Sequence, residues 1–123
     1  MAILRTHCYW VRTLGTPRAH STVIYFLLPA VIISRWHKVD AVETWHWYAG
    51  ASLDLVIAPP QGGRVDRYRL GTDFAAGERP QTIVPADHWQ QAESCGAWTL
   101  VGCTVAPGFE FSGFEMAAPG WAP

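Results

Sequence analysis

Charge is scarce in this chain of 123 residues. Asp, Glu, Lys and Arg together make up 15% of it, against about 25% in an average soluble domain. The nine basic and ten acidic side chains nearly cancel, leaving a net charge of -1. No global field draws in nucleic acid or an anionic membrane, whose binding depends on clustered Lys and Arg, so neither is expected as a partner. Disorder is excluded as well, because it needs low hydrophobicity and high net charge. Paired cysteines are missing too. Cys8, Cys95 and Cys103 form no CxxC and no even framework, which points to a reducing, cytoplasmic setting.

Long apolar runs are absent. The longest, residues 23–33, is broken by Pro29 and falls short of the roughly 20 residues a membrane helix needs. The apolar start, Ile3-Leu4, is too short for a signal peptide. No window keeps an i, i+3, i+4, i+7 apolar face over three turns, so little helix is expected. Residues 71–77 hold two glycines without GxGxxG, which makes them a turn-rich loop and no nucleotide cradle, and no Gly-x-Ser-x-Gly elbow is present.

What the chain has instead is apolar residues, 50% of the total, with seven tryptophans. The length suits a single domain, residues 1–123, with one core that needs no disulfides. So few charges leave apolar surface over, and an apolar surface is usually an interface. A homodimer is therefore expected.

Glycine and proline recur as punctuation. Between them lie eight runs rich in Val, Ile, Thr and aromatics: 21–28, 32–39, 43–48, 53–57, 65–70, 81–84, 89–92 and 98–105. Eight short strands at this spacing predict an all-β sandwich or barrel. The tail from Pro107 alternates Phe109, Phe111 and Phe114 with small residues, which reads as an extended segment pinned by aromatics, on this chain or a neighbouring subunit. Arg64, Arg67 and Arg69, with Asp66 among them, read as a solvated edge strand. Cys103, with no cation near it in sequence, reads as an inert buried thiol.

Residues 34–50 concentrate ionisable and aromatic side chains. Glu43-x-x-His46 has the spacing of a di-iron motif, but that motif requires a helix and two copies. In a strand the odd offset puts the two on opposite faces. His37 and Glu43 are an even six apart, so both can face one interior across a turn at residues 40–42, with Trp45 and Trp47 on the face of Glu43. His46 and Tyr48 then point the other way, and His46 reads as a hydrogen-bonded interface histidine. Carboxylates walled in by tryptophan are rarely buried without a pairing or functional reason.

His37-x5-Glu43-x6-Gly50 and Pro85-Ala86-Asp87-His88-Trp89-Gln90 resemble the two cupin motifs. More closely, blocks running from Ser21 through Trp36-His37-Lys38-Val39, Glu43 to Gly50, Leu70-Gly71, Gly77 to Gln81, Trp89-Gln90 and Trp98 to Phe109 resemble the uncharacterised DUF985, or Cupin_5, group. The resemblance implies an all-β double-stranded β-helix, the cupin jelly roll, and a dimer. It departs from the metal-binding pattern of three histidines and a glutamate by placing Val39 and Gln90 at two histidine positions. Amide oxygen is a poor ligand for zinc, iron or copper, so no tight metal is expected. Family members also begin with a helix and a His-Pro-Glu-Gly-Gly stretch, where this chain shows Cys8 to Thr13. Either the pocket lacks one wall or the native start lies upstream.

The expected site is a small-molecule pocket lined by Trp36, Trp45, Trp47 and Tyr25, which stack on a sugar or other small ring, with His37, Glu43 and Gln90 as its polar groups. Resemblance to sugar-epimerase cupins implies a metal-independent acid/base reaction. His37 takes a proton beside a carbonyl, Glu43 orients it or acts as acid, and Tyr25 or Tyr68 is the alternative acid. The competing expectations are a weak divalent metal held by His37, Glu43 and waters, and a non-enzymatic ligand-binding module.

Overall fold

The computed structural model describes residues 9–12 and 17–123. Among these described residues there are ten strands: β1 (Tyr9–Arg12), β2 (Ala19–Pro29), β3 (Ser34–Val39), β4 (Val42–Gly50), β5 (Leu53–Ala58), β6 (Asp66–Leu70), β7 (Gln81–Val84), β8 (Trp89–Ser94), β9 (Trp98–Ala106) and β10 (Phe114–Met116). Among the described residues the only helical pieces are two 3-10 turns, Phe74–Ala76 and Phe111–Gly113. All eight expected strands appear, with ends moved by one or two residues. The two additions, β1 and β10, are short edge strands.

The strands form two five-stranded antiparallel sheets, in the orders β1-β2-β9-β4-β7 and β10-β3-β8-β5-β6. Consecutive strands β3 and β4 lie in different sheets, so Asp40 and Ala41 form a corner and not a hairpin. The even offset from His37 to Glu43 therefore places them on facing sheets. Period-2 alternation is clear along β4, where Glu43 and Trp45 are buried while Thr44 and His46 are not. One face of each sheet thus supplies the core: Phe26, Leu28, Trp45, Val101 and Cys103 from the first, Leu53, Leu55, Ile57, Leu70 and Ala92 from the second. Ile24 and Trp47 pack against its margin.

Gly50 ends β4 with φ of 89°, and a Cβ there would strike Trp98. Only glycine meets both conditions. A smaller cluster of Val39, Ala41 and Val105 is closed by Phe109 and Phe114. The tail is thus pinned on its own chain, and farther along Trp121 packs on Trp89 with ring centroids 4.5 Å apart. Arg18 clamps the same end, donating to both carboxylate oxygens of Asp40 and to the Gly108 carbonyl. Cys95 and Cys103 are free thiols, exposed and buried respectively, and Cys8 lies outside the described residues. Among the described residues no helix is long and apolar enough to cross a membrane.

Candidate functional site

The polar centre of the core is a hydrogen-bonded series of three side chains from both sheets. Trp45 on β4 donates its indole N–H to Gln90 Oε1 on β8 at 2.7 Å. Gln90 Nε2 in turn donates to Glu43 Oε2 at 3.3 Å. An indole nitrogen can only donate, so the amide oxygen of Gln90 must face Trp45 and its amino group must face Glu43. Gln90 is 1% exposed and Glu43 7%. Glu43 Oε1 receives no hydrogen bond, yet among the described residues no fully buried side-chain N or O atom lacks a partner. That oxygen therefore touches accessible space.

Burial pushes the Glu43 carboxyl up to about 7, opposed in part by the Gln90 hydrogen bond. Loss of hydration disfavours the carboxylate, and a single neutral donor restores only some of it. The nearby Cys103 thiol is pushed well above its ordinary value by burial and then by Glu43, as expected of an inert thiol.

His37 stands directly across from Gln90 in the β3–β8 register, on the same sheet face. Its Nδ1 lies 2.7 Å from the Arg35 carbonyl, and its ring sits 5.7 Å from that of Phe114. A carbonyl only accepts, so Nδ1 carries a hydrogen and the neutral ring keeps its lone pair on Nε2. Burial lowers the His37 pKa, with the Arg35 hydrogen bond acting the other way.

The expected aromatic lining divides. Trp45 and Trp47 do share the face of Glu43, but Trp45 is 2% exposed and packs edge-on against Phe26. It is a core residue that orients Gln90, and it has no free ring face for a ligand. Trp47 is half-buried and donates to the Ala51 carbonyl. Trp36 is not with them. One position from His37, it points to the outer side of the second sheet and meets Trp121. Tyr25 is also elsewhere, on the outer face of the first sheet beside Tyr48, because its neighbours Ile24 and Phe26 take the inner side. His46 lies on that outer face as expected, stacked on Tyr48 and 3.4 Å from the Thr104 hydroxyl. Tyr68 stands across from Leu55 at the rim of the second sheet, on its inner side.

The three-histidine, one-glutamate metal set of the cupin pattern is not built at this centre. Among the described residues no three His, Cys, Asp or Glu side chains converge. Val39 has no donor atom, and the only ligating atom of Gln90 is engaged by Trp45, so an N–H group faces Glu43 instead.

A family model described as Cupin superfamily (DUF985), Cupin_5, matches residues 5–117. The chain belongs to that family. A solved protein from Shewanella oneidensis is 38% identical with a TM-score of 0.84, covering 89% of this chain and 70% of its own. A hypothetical protein from Leishmania major is 26% identical with a TM-score of 0.77, covering 92% and 73%. A dTDP sugar isomerase from Desulfovibrio desulfuricans shares the fold at 13% identity and a TM-score of 0.67, covering 93% and 82%. No curated protein matches the chain. This cupin therefore has a certain fold, and its chemistry must be argued from its own residues.

Proposed function

We propose that this cupin binds a small, sugar-like molecule against Glu43 and His37 and moves a proton on it without a metal. The observation that carries the reading is the Glu43 carboxyl. It is buried, held by one amide donor, shifted to about 7, and open at its second oxygen. A group poised near neutral pH can both give and take a proton, which is what acid/base catalysis requires. His37, neutral with its lone pair on Nε2, supplies a base from the facing sheet. A carbon acid next to a carbonyl, as in a keto sugar, is the substrate chemistry that this pair suits. The likeness to a sugar isomerase is one of fold and adds only compatibility.

The test is deuterium exchange. Keto sugars and their nucleotide-linked forms are incubated with the protein in D2O with a chelator, and incorporation beside the carbonyl is followed by NMR. Exchange that falls at least about a hundredfold in Glu43→Gln and His37→Ala supports the reading, given the usual 10²- to 10⁴-fold worth of such groups. Binding without exchange makes the protein a ligand-binding module, and exchange that needs added divalent metal overturns the metal-free mechanism.

We also infer a homodimer packed through the outer face of the first sheet. Its central rows, Val23-Thr104-Thr44 and Tyr25-Gly102-His46, contain no charged side chain. Such a face can meet its own copy about a two-fold axis with no like charges opposed. Sedimentation of the wild type and of Tyr25→Glu tests this: a dimer dissociated by the substitution is expected, and a wild-type monomer overturns it.

A further inference from the structure

The arginines of β6 acquire a companion that their sequence spacing does not reveal. Residues 71–80 carry the chain from the second sheet back to the first, and they return alongside β6. Arg79 bridges Leu70, its N–H donates to the Arg69 carbonyl, and Gly71 N–H donates to the Arg79 carbonyl. This places Arg79 beside Arg69 and Leu70, at the open edge where β6 of one sheet and β7 of the other run without pairing. Arg67, Arg69 and Arg79, with Tyr68, Thr82 and Ile83, are among the residues that line a groove of about 500 Å³.

The charge in this groove is largely uncompensated. Arg69 is held in a fork by Asp54, with distances of 2.9 and 3.3 Å. Arg64 outside the groove pairs with Asp66. The nearby Glu78 is turned away, accepting hydrogen bonds from Ser52 Oγ and the Asp73 N–H. Among the described residues Arg67 and Arg79 pair with no carboxylate. Arg79 is nevertheless fixed: its Nη1 donates to the Glu78 carbonyl at 2.7 Å and to the Phe74 carbonyl at 3.5 Å, and its guanidinium lies over the Phe74 ring. A held guanidinium loses little freedom when it binds.

We propose that this edge groove is a binding site for the phosphate group of a small phosphorylated molecule, gripped by Arg67 and Arg79. Two free guanidinium groups match the two charges of a phosphate monoester, and their fork geometry suits its oxygens. Arg69, already satisfied by Asp54, adds field more than contact. Tyr68 and Ile83 offer apolar walls to the organic part of the ligand, and Thr82 offers a hydroxyl. The site does not depend on the Glu43 centre.

Phenyl phosphate and inorganic phosphate serve as probes, with phenol as the uncharged control, in calorimetric and NMR titrations. The wild type is expected to bind phenyl phosphate saturably and phenol not at all, with amide shifts at residues 67–69, 79 and 82. Arg67→Ala and Arg79→Ala should each weaken binding about tenfold or more, as the loss of a charge-assisted contact does, while Glu43→Gln leaves it unchanged. Should Arg79→Ala disturb the loop at Phe74, the exposed Arg67→Ala decides alone. No saturable binding by the wild type, binding undiminished in Arg67→Ala, or shifts centred on Glu43 and Gln90 would each overturn the proposal.

Discussion

The two faces of β4 differ by one residue of offset and belong to different physical regimes. The inner face sets Glu43 and Trp45 in the core, where the Trp45 indole N–H and Glu43 Oε2 each have one named partner, Gln90. The outer face sets His46 and Tyr48 toward the surface, stacked on each other with an interplanar angle of 8°. Chemistry that depends on a shifted protonation state can be built only on the first. The second offers a broad uncharged contact area, whose value lies in what it covers. The scarcity of charge in the sequence therefore has two separate meanings: inside, no cation among the described residues pairs with Glu43, and outside, the central rows of the first sheet carry no charged side chain.

Substitutions on β4 and at its partner Gln90 sharpen the contrast. Trp45→Ala should be the most damaging, at about 3–5 kcal/mol for a large-to-small core change, with more lost because Gln90 Oε1 is left unpaired. Urea unfolding measures it, and a loss below about 1 kcal/mol would mean that the inner face is not a tightly packed core. Gln90→Leu removes one link between the two sheets and leaves the Trp45 indole N–H and Glu43 without their partners. An expected loss of about 1–3 kcal/mol follows from stranding buried polar groups.

The third prediction concerns pH. The folded Glu43 pKa, about 7, lies above the ordinary value of 4.5. Between these values the folded state holds a proton that the unfolded state has released. Stability should therefore fall as pH rises from about 4.5 to about 7, then level off with respect to this group. In Glu43→Gln this part of the slope should vanish, leaving the variant more stable than wild type above pH 7 if its amide finds a partner. Denaturant curves at several pH values provide the check, and identical slopes in the two proteins would sink the assignment.

The smallest effect belongs to the outer face. Tyr48→Ser should change monomer stability by less than about 1 kcal/mol, as expected for an exposed side chain, yet weaken self-association in sedimentation. A large loss of stability there would erase the distinction between the faces.

Much of this was legible in the sequence because the physics is local. Gly and Pro punctuation delimits eight strands, and period-2 alternation separates Glu43, Trp45 and Trp47 from His46 and Tyr48. Other features are set by tertiary pairing. The corner at Asp40-Ala41 looks like a hairpin turn until β3 and β4 are seen to join different sheets. Trp36, adjacent to His37, falls on the outer side of its sheet, where only the returning tail and Trp121 reveal its purpose. Tyr25 reads as a plausible acid until β2 is paired with β9, which puts it opposite Gly102 on the outer face. A Cβ at Gly102 would collide with the Tyr48 ring, so that glycine marks the close approach of an aromatic. The Trp45–Gln90 contact, 45 residues apart, has no signal in either segment alone. Arg79 shares a groove with Arg67 only because a ten-residue loop doubles back against β6.

The Trp45, Gln90 and Glu43 contacts also have a direction. Indole gives to amide and amide gives to carboxyl, and no member of the chain can reverse its role. Because Oε2 of Glu43 accepts from Gln90 and the carbonyl oxygen of a carboxylic acid is the better acceptor, a proton carried by this residue is favoured on Oε1, the oxygen that faces accessible space. A tryptophan two residues along the strand thus selects, through a glutamine from the opposite sheet, which of two chemically equivalent oxygens is the acid. The protein breaks the symmetry of a carboxyl group with one indole.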